Sequence, residues 1–294
     1  MHPVTTIIFI ASLLVTSSGT QTSADPYSYF CDSTNSAAIT NVVTASEDAV
    51  LFEDRNDISA GRNKIIVGRT PIGLRRSLLR FDLSDINLPA DARVLCAEMY
   101  VYTEKGYMSQ VSVHAVTSPW STTSSNELKD LDGGTAVSGD ATWTYAKYPS
   151  IMWDTLGGDF ELTPFVSSFG GSGNFFNKNG RHWFGGNDAM KSKVQQWLDG
   201  SSPNYGVALL GNEAYGTADD YNIYDGIGSA PSYVPKLVIT YTSPSGSGAT
   251  LQSSNANNVR SGNNGGESSN LNMIMAIVMC SLVGVMALIG GFCE

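Results

Sequence analysis

RRSLLRFDLS, running from Arg75 to Ser84, separates cleanly into two sides once it is read as an extended strand. Ser77, Leu79, Phe81 and Leu83 share one side, with Leu79 and Phe81 as core residues, while Arg76, Leu78, Arg80 and Asp82 share the other. The next strand shows the same period. Within ARVLCAEMYVYT, Val94 to Thr103 places Leu95, Ala97, Met99 and Val101 on the core side and Cys96, Glu98, Tyr100 and Tyr102 on the opposite side. Further strands are expected at Asp48 to Phe52, Lys64 to Gly68, Val111 to Val116, Tyr205 to Leu210 and Leu237 to Tyr241.

One helix interrupts this pattern. Asn187 or Asp188 caps its start, Met190, Val194, Trp197 and Leu198 recur at helical spacing, and Gly200 ends it. Trp197 is expected to pack inward. The 30 glycines, the 13 tyrosines and a charged fraction of only 15% suit many short strands joined by turns. With 294 residues and 42% hydrophobic content the chain can bury one large core. The fold class expected is all-β: an antiparallel β-sandwich with one short helix.

Three motifs extend the reading to function: the Arg75 strand, the aromatic pair SPW and ATW at Trp120 and Trp143, and VQQWLDGSSPNYGVALLG from Val194 to Gly211. In this order they resemble the DNRLRE domain, grouped with the family 96 carbohydrate-binding modules and related to a domain of archaeal disaggregatase. The resemblance covers 44–242. It implies a jelly-roll sandwich that binds polysaccharide without catalysis. Trp120 and Trp143 then read as core or rim aromatics, and Ser121 to Gly139 as a polar insertion forming a surface loop.

The segments outside 44–242 differ in composition. Residues 1–24 carry an uncharged apolar run, Val4 to Val15, followed by small residues, as in a secretory signal peptide. A short N-terminal segment, 25–43, leads into the domain. Residues 243–272, rich in Ser, Gly and Asn, have few apolar side chains to offset ordering entropy and read as a flexible stalk. The hydrophobic tail at 273–294 fits a GPI-attachment signal with Ser261 as the attachment candidate, and a retained membrane helix is the other reading. Either places the domain outside the cell, tethered to a membrane.

Cys280 and Cys293 fall in that tail, leaving Cys31 and Cys96. Export and the outward direction of Cys96 point to one disulfide between them, against the alternative of two unpaired thiols.

Enzymatic signatures are sparse. Outside the leader the histidines are His114, read as a partly exposed strand residue, and His182; there is no Gly-x-Ser-x-Gly elbow, metal-spaced histidine pair or phosphate-binding loop. A glycosidase or lyase would have to draw on carboxylates such as Asp130, Asp132, Asp159 and Glu161. No cofactor is expected. Glu47, Asp48, Glu53, Asp54 and Asp57 crowd one stretch, which reads either as a solvated acidic turn or as a structural Ca2+ site.

Charge distribution gives the ligand class. The formal net charge is -10, yet Arg55, Arg62, Lys64, Arg69, Arg75, Arg76 and Arg80 supply 7 of the 17 basic residues. An acidic chain of this kind does not suit nucleic acid, while a local basic patch suits an acidic or uronate-containing polysaccharide. Arg69, Arg76 and Arg80 are the expected anion contacts, and Tyr100 and Tyr102 the expected flat surfaces for sugar rings. Equally open is Arg80 pairing with Asp82 or Glu98 as ordinary sheet stabilisation. A structural or adhesion protein that binds other proteins is the alternative function.

Overall fold

The computed structural model describes residues 30–31, 38–89, 91–106, 110–167, 175–178, 180–214 and 220–242. The expected leader, stalk and hydrophobic tail, with Ser261, lie outside these residues. In chain order the first strands are β1 (Ala38–Phe52), β2 (Ile58–Ser59), β3 (Lys64–Thr70), β4 (Gly73–Phe81), β5 (Arg93–Gly106) and β6 (Ser112–Ala115). Short strands follow: β7 (Gly134–Thr135), β8 (Tyr145–Lys147), β9 (Ile151–Met152), β10 (Val166–Ser167), β11 (Phe175–Lys178) and β12 (Arg181–Gly185). Helix α1 (Asp188–Leu198) precedes β13 (Val207–Leu210), β14 (Asp220–Asp225) and β15 (Lys236–Thr242).

These elements form an antiparallel, jelly-roll-like β-sandwich. One layer has the order β11-β12-β5-β15-β1, and the other β14-β3-β4-β13-β6-β10. Two long strands serve both layers. β1 pairs with β15 through Thr44 and then with β4 from Ala45, and β5 pairs with β15 early and with β14 from Thr103. Strands that change sheets at an irregularity make the corners of such sandwiches, and in β1 the register shifts between Ala45 and Glu47.

The core between the layers is built by alternation. Val50, Phe52, Leu79, Phe81, Met99, Val101, Val113, Val207, Leu209, Leu237 and Ile239 all belong to it. β5 departs from the expected phase at its start. Its register against β15 shifts between Cys96 and Val94, so Val94 enters the core and Leu95 is 39% exposed. The extra residue of a bulge reverses every side chain on one side of it. Helix α1 follows the sequence reading: the Asn187 side chain accepts from Met190 N, and Met190, Val194 and Trp197 are buried.

The other face of the second layer is covered too. Ala49, Leu51, Leu78, Ala208 and Leu210 project from it into a second core completed by Trp120, Trp143 and Trp153. The chain between Thr117 and Glu161 supplies that cover through Trp120, Ala141, Trp143, Ala146 and Trp153, while the expected surface loop at Ser121 to Gly139 lies on its outside, with Leu128 and Ala136 buried and its other residues half-buried or exposed. Buried Asp140 organises it, accepting from Ser59 Oγ, Thr123 N, Ser124 N and Val137 N. Burial pushes the Asp140 carboxyl up, but these donors together outweigh it and hold the pKa below the ordinary aspartate value. Trp120 Nε1 donates to Tyr205 O and Trp153 Nε1 to Thr142 O, so both buried indoles are satisfied.

Candidate functional site

The covered face decides what the sequence-expected arginines do. Arg76 spans Trp143 and Phe160, at 4.8 and 5.2 Å from their ring centres. Its Nε and Nη2 grip Glu213 at 2.8 and 2.9 Å, and Nη1 donates to Gly157 O. Gly157 has φ +85°, and a Cβ there would lie 2.4 Å from Arg76 Nη1. Only glycine permits that approach. Arg69 donates to Glu213 O and faces Glu53. Arg76 fastens the cover to the sheet, and Arg69 ties β3 to Glu53 and Glu213; neither forms an open anion surface.

Most of the rest of the basic cluster is paired too, while Arg62 is exposed and outside these ion pairs. Arg75 is fully buried against Asp54, Arg55 meets Asp57 and Asp132, and Lys64 meets Glu104 and Asp225. Arg80 pairs with Glu47, its cross-strand neighbour in the β1–β4 register, instead of the expected Asp82 or Glu98. The acidic stretch is dispersed by the same contacts. Asp48 is buried and accepts from Arg62 N and Ile227 N, with burial pushing its pKa up against those donors. Among the described residues no group of three or more acidic, histidine or cysteine side chains is arranged to hold a metal ion.

Tyr100 and Tyr102 separate. Tyr100 is fully buried, with its ring 4.4 Å from that of Trp183 and Phe30 packed against the same cluster, so it offers no face to a sugar. The N-terminal segment produces this burial. Cys31 is disulfide-bonded to Cys96 with Cα atoms 5.5 Å apart, and Phe30 N donates to Glu98 Oε2, drawing the segment over the outer side of β5.

Tyr102, two residues further on, remains partly exposed and meets Tyr233. Their rings are 4.9 Å apart and 87° to one another, and Tyr233 is 47% exposed. Arg181 lies directly opposite Tyr102 in the β5–β12 register. Its guanidinium carbon is 4.9 Å from the Tyr102 ring centre, and Nε donates to Tyr102 OH. Lys236 Nζ donates to Pro231 O and Val234 O, holding the turn that carries Tyr233. Burial, and then the nearby charge of Arg181, lowers the Lys236 pKa from its ordinary value. The result is an aromatic corner with two cations at its base. From sequence, Arg181 and Tyr233 gave no signal, because β12 and the 231–234 turn follow no clear alternation.

His114 and His182 are interior groups. His114 is buried, not partly exposed, because the Thr117 to Glu161 cover reaches its strand: Nε2 meets Ser112 Oγ at 2.8 Å and Nδ1 meets Glu161 O at 2.7 Å. Burial lowers its pKa. His182 bonds Tyr224 OH inside the sandwich, and burial takes its pKa to about 4. The acids considered for catalysis are spread out. Asp132 meets Arg55, Asp159 accepts from Asp154 N and Thr155 N, and Glu161 meets Lys193.

Fold and surface together define an antiparallel β-sandwich bearing a small aromatic and cationic site on one outer face. No protein-family model matches the chain, and no curated protein matches it. The likeness to carbohydrate-binding modules therefore rests on the motifs in the sequence.

Proposed function

We propose that this protein is a noncatalytic module that binds an acidic, uronate-containing polysaccharide outside the cell, held near a membrane by a C-terminal lipid anchor or helix. The observation that carries the reading is the Tyr102–Tyr233 corner beside Arg181. An exposed tyrosine ring suits the C–H face of a pyranose, and a guanidinium grips a carboxylate through paired N–H donors. Arg181 and Lys236 repel one another, so a carboxylate placed over them relieves that repulsion. The disulfide, the sequence resemblance to the DNRLRE domain and the stalk composition agree with a secreted role.

Screening the full-length protein on an array of neutral, uronate-bearing and sulfated polysaccharides tests this. Retention on polyuronates that weakens with salt supports the reading, since attraction between exposed charges is screened. An array on which no polyuronate is retained, with the protein folded, refutes it.

A further inference from the structure

A groove of about 610 Å3 opens where β4 ends beside the last turn of α1. Clefts that take small ligands range over about 300–1,000 Å3. Its lining includes Glu47, Arg80, Asp82, Asn204, Trp197 and Leu198, and none of the corner residues. The groove is a separate place on the molecule.

The polar side chains here are held by the fold. Arg80 commits Nη1 to Trp120 O and Nη2 to Glu47, leaving further N–H donors for a ligand. Asp82 is exposed and accepts from Ser84 N, and that hydrogen bond lowers its pKa, so it stays ionised at neutral pH. Asn204 is fixed at both ends of its amide, donating to Phe81 O and accepting from Gly206 N. Trp197 and Leu198 add an apolar wall.

Such a mixture discriminates against charge of either sign. A carboxylate or sulfate in the groove meets Asp82 and Glu47, and an ammonium meets Arg80. A hydroxyl both donates and accepts, so vicinal hydroxyls satisfy Arg80 and Asp82 together without bringing a charge. We infer that this groove is a second binding site, for a neutral, hydroxyl-rich pyranose unit. It takes a different class of ligand from the corner, and it stands whether or not the corner binds polyuronate.

Titration of full-length protein with xylohexaose, mannohexaose and cellohexaose, read by calorimetry and by chemical-shift changes, tests the inference. At least one is expected to bind, insensitive to salt and unaffected by Tyr102→Ala with Tyr233→Ala. Asp82→Ala should weaken that binding by about tenfold or more while leaving polyuronate binding and the melting temperature unchanged, because Asp82 is an exposed side chain. Asn204→Ala should weaken it too. Absence of binding by all three oligosaccharides overturns the inference. So does binding that survives Asp82→Ala, or that is lost with the corner variants.

Discussion

Tyr233 stands at 87° to Tyr102, their ring centres 4.9 Å apart, so one ring walls the surface that the other floors. Lys236 fixes the standing ring by holding the Pro231–Val234 turn, and Arg181 fixes the other through its hydroxyl. Tyr233→Ala should therefore weaken polyuronate binding by about tenfold, equivalent to about 1.4 kcal/mol, with little change in melting temperature. Calorimetric titration against polygalacturonate and a thermal melt check the two halves of that expectation.

Arg76 gives the opposite result. Its side chain is 13% exposed, and the guanidinium closes a bidentate pair with Glu213 beneath the tryptophan layer. Arg76→Ala should lower stability by about 2–4 kcal/mol, since it strands Glu213 and opens space beside Trp143. Denaturant unfolding measures this, and binding of the folded fraction should match the parent.

The Cys31–Cys96 bridge closes a loop with a sequence separation of 65 residues. Constraint of the unfolded chain on that scale stabilises by about 2–4 kcal/mol, which Cys96→Ser should remove. The native protein should resist alkylation at both sites until reduced. Mass spectrometry after labelling reads this directly.

Acid should destabilise the domain well above the carboxylate range. Unfolded, His182 takes up a proton near its ordinary value of 6.5; folded, it does so only at about 4. The unfolded state therefore binds more protons between those limits, and stability falls as pH drops from 6.5 to about 4, by about 3 kcal/mol. Burial of His114 adds in the same direction. Chemical denaturation across that pH range should show the slope, and His182→Gln should flatten it.

The sequence made the inner core plain, because β4 and β15 alternate and one side of each must be buried. It concealed the second core for a physical reason. Arg76 and Arg80 mark the outer side of β4 as polar, yet Leu78 lies between them and is 1% exposed. The better signal was in Ala49 to Phe52 and Val207 to Leu210, whose unbroken apolar runs belong to strands buried on both sides. Tyr102 was legible as an outward aromatic, whereas its partners required tertiary structure. Tyr100 shares its phase and is buried by the disulfide-linked segment, a contact that strand period does not encode.

The corner is tested by calorimetric titration of polygalacturonate into the full-length protein and into the Tyr102→Ala, Tyr233→Ala double variant, at low and at high salt. The parent should bind, more weakly as salt rises, and the double variant should lose about tenfold or more in affinity while keeping its melting temperature. Equal affinity of parent and a folded double variant would contradict the assignment of the corner as the binding site.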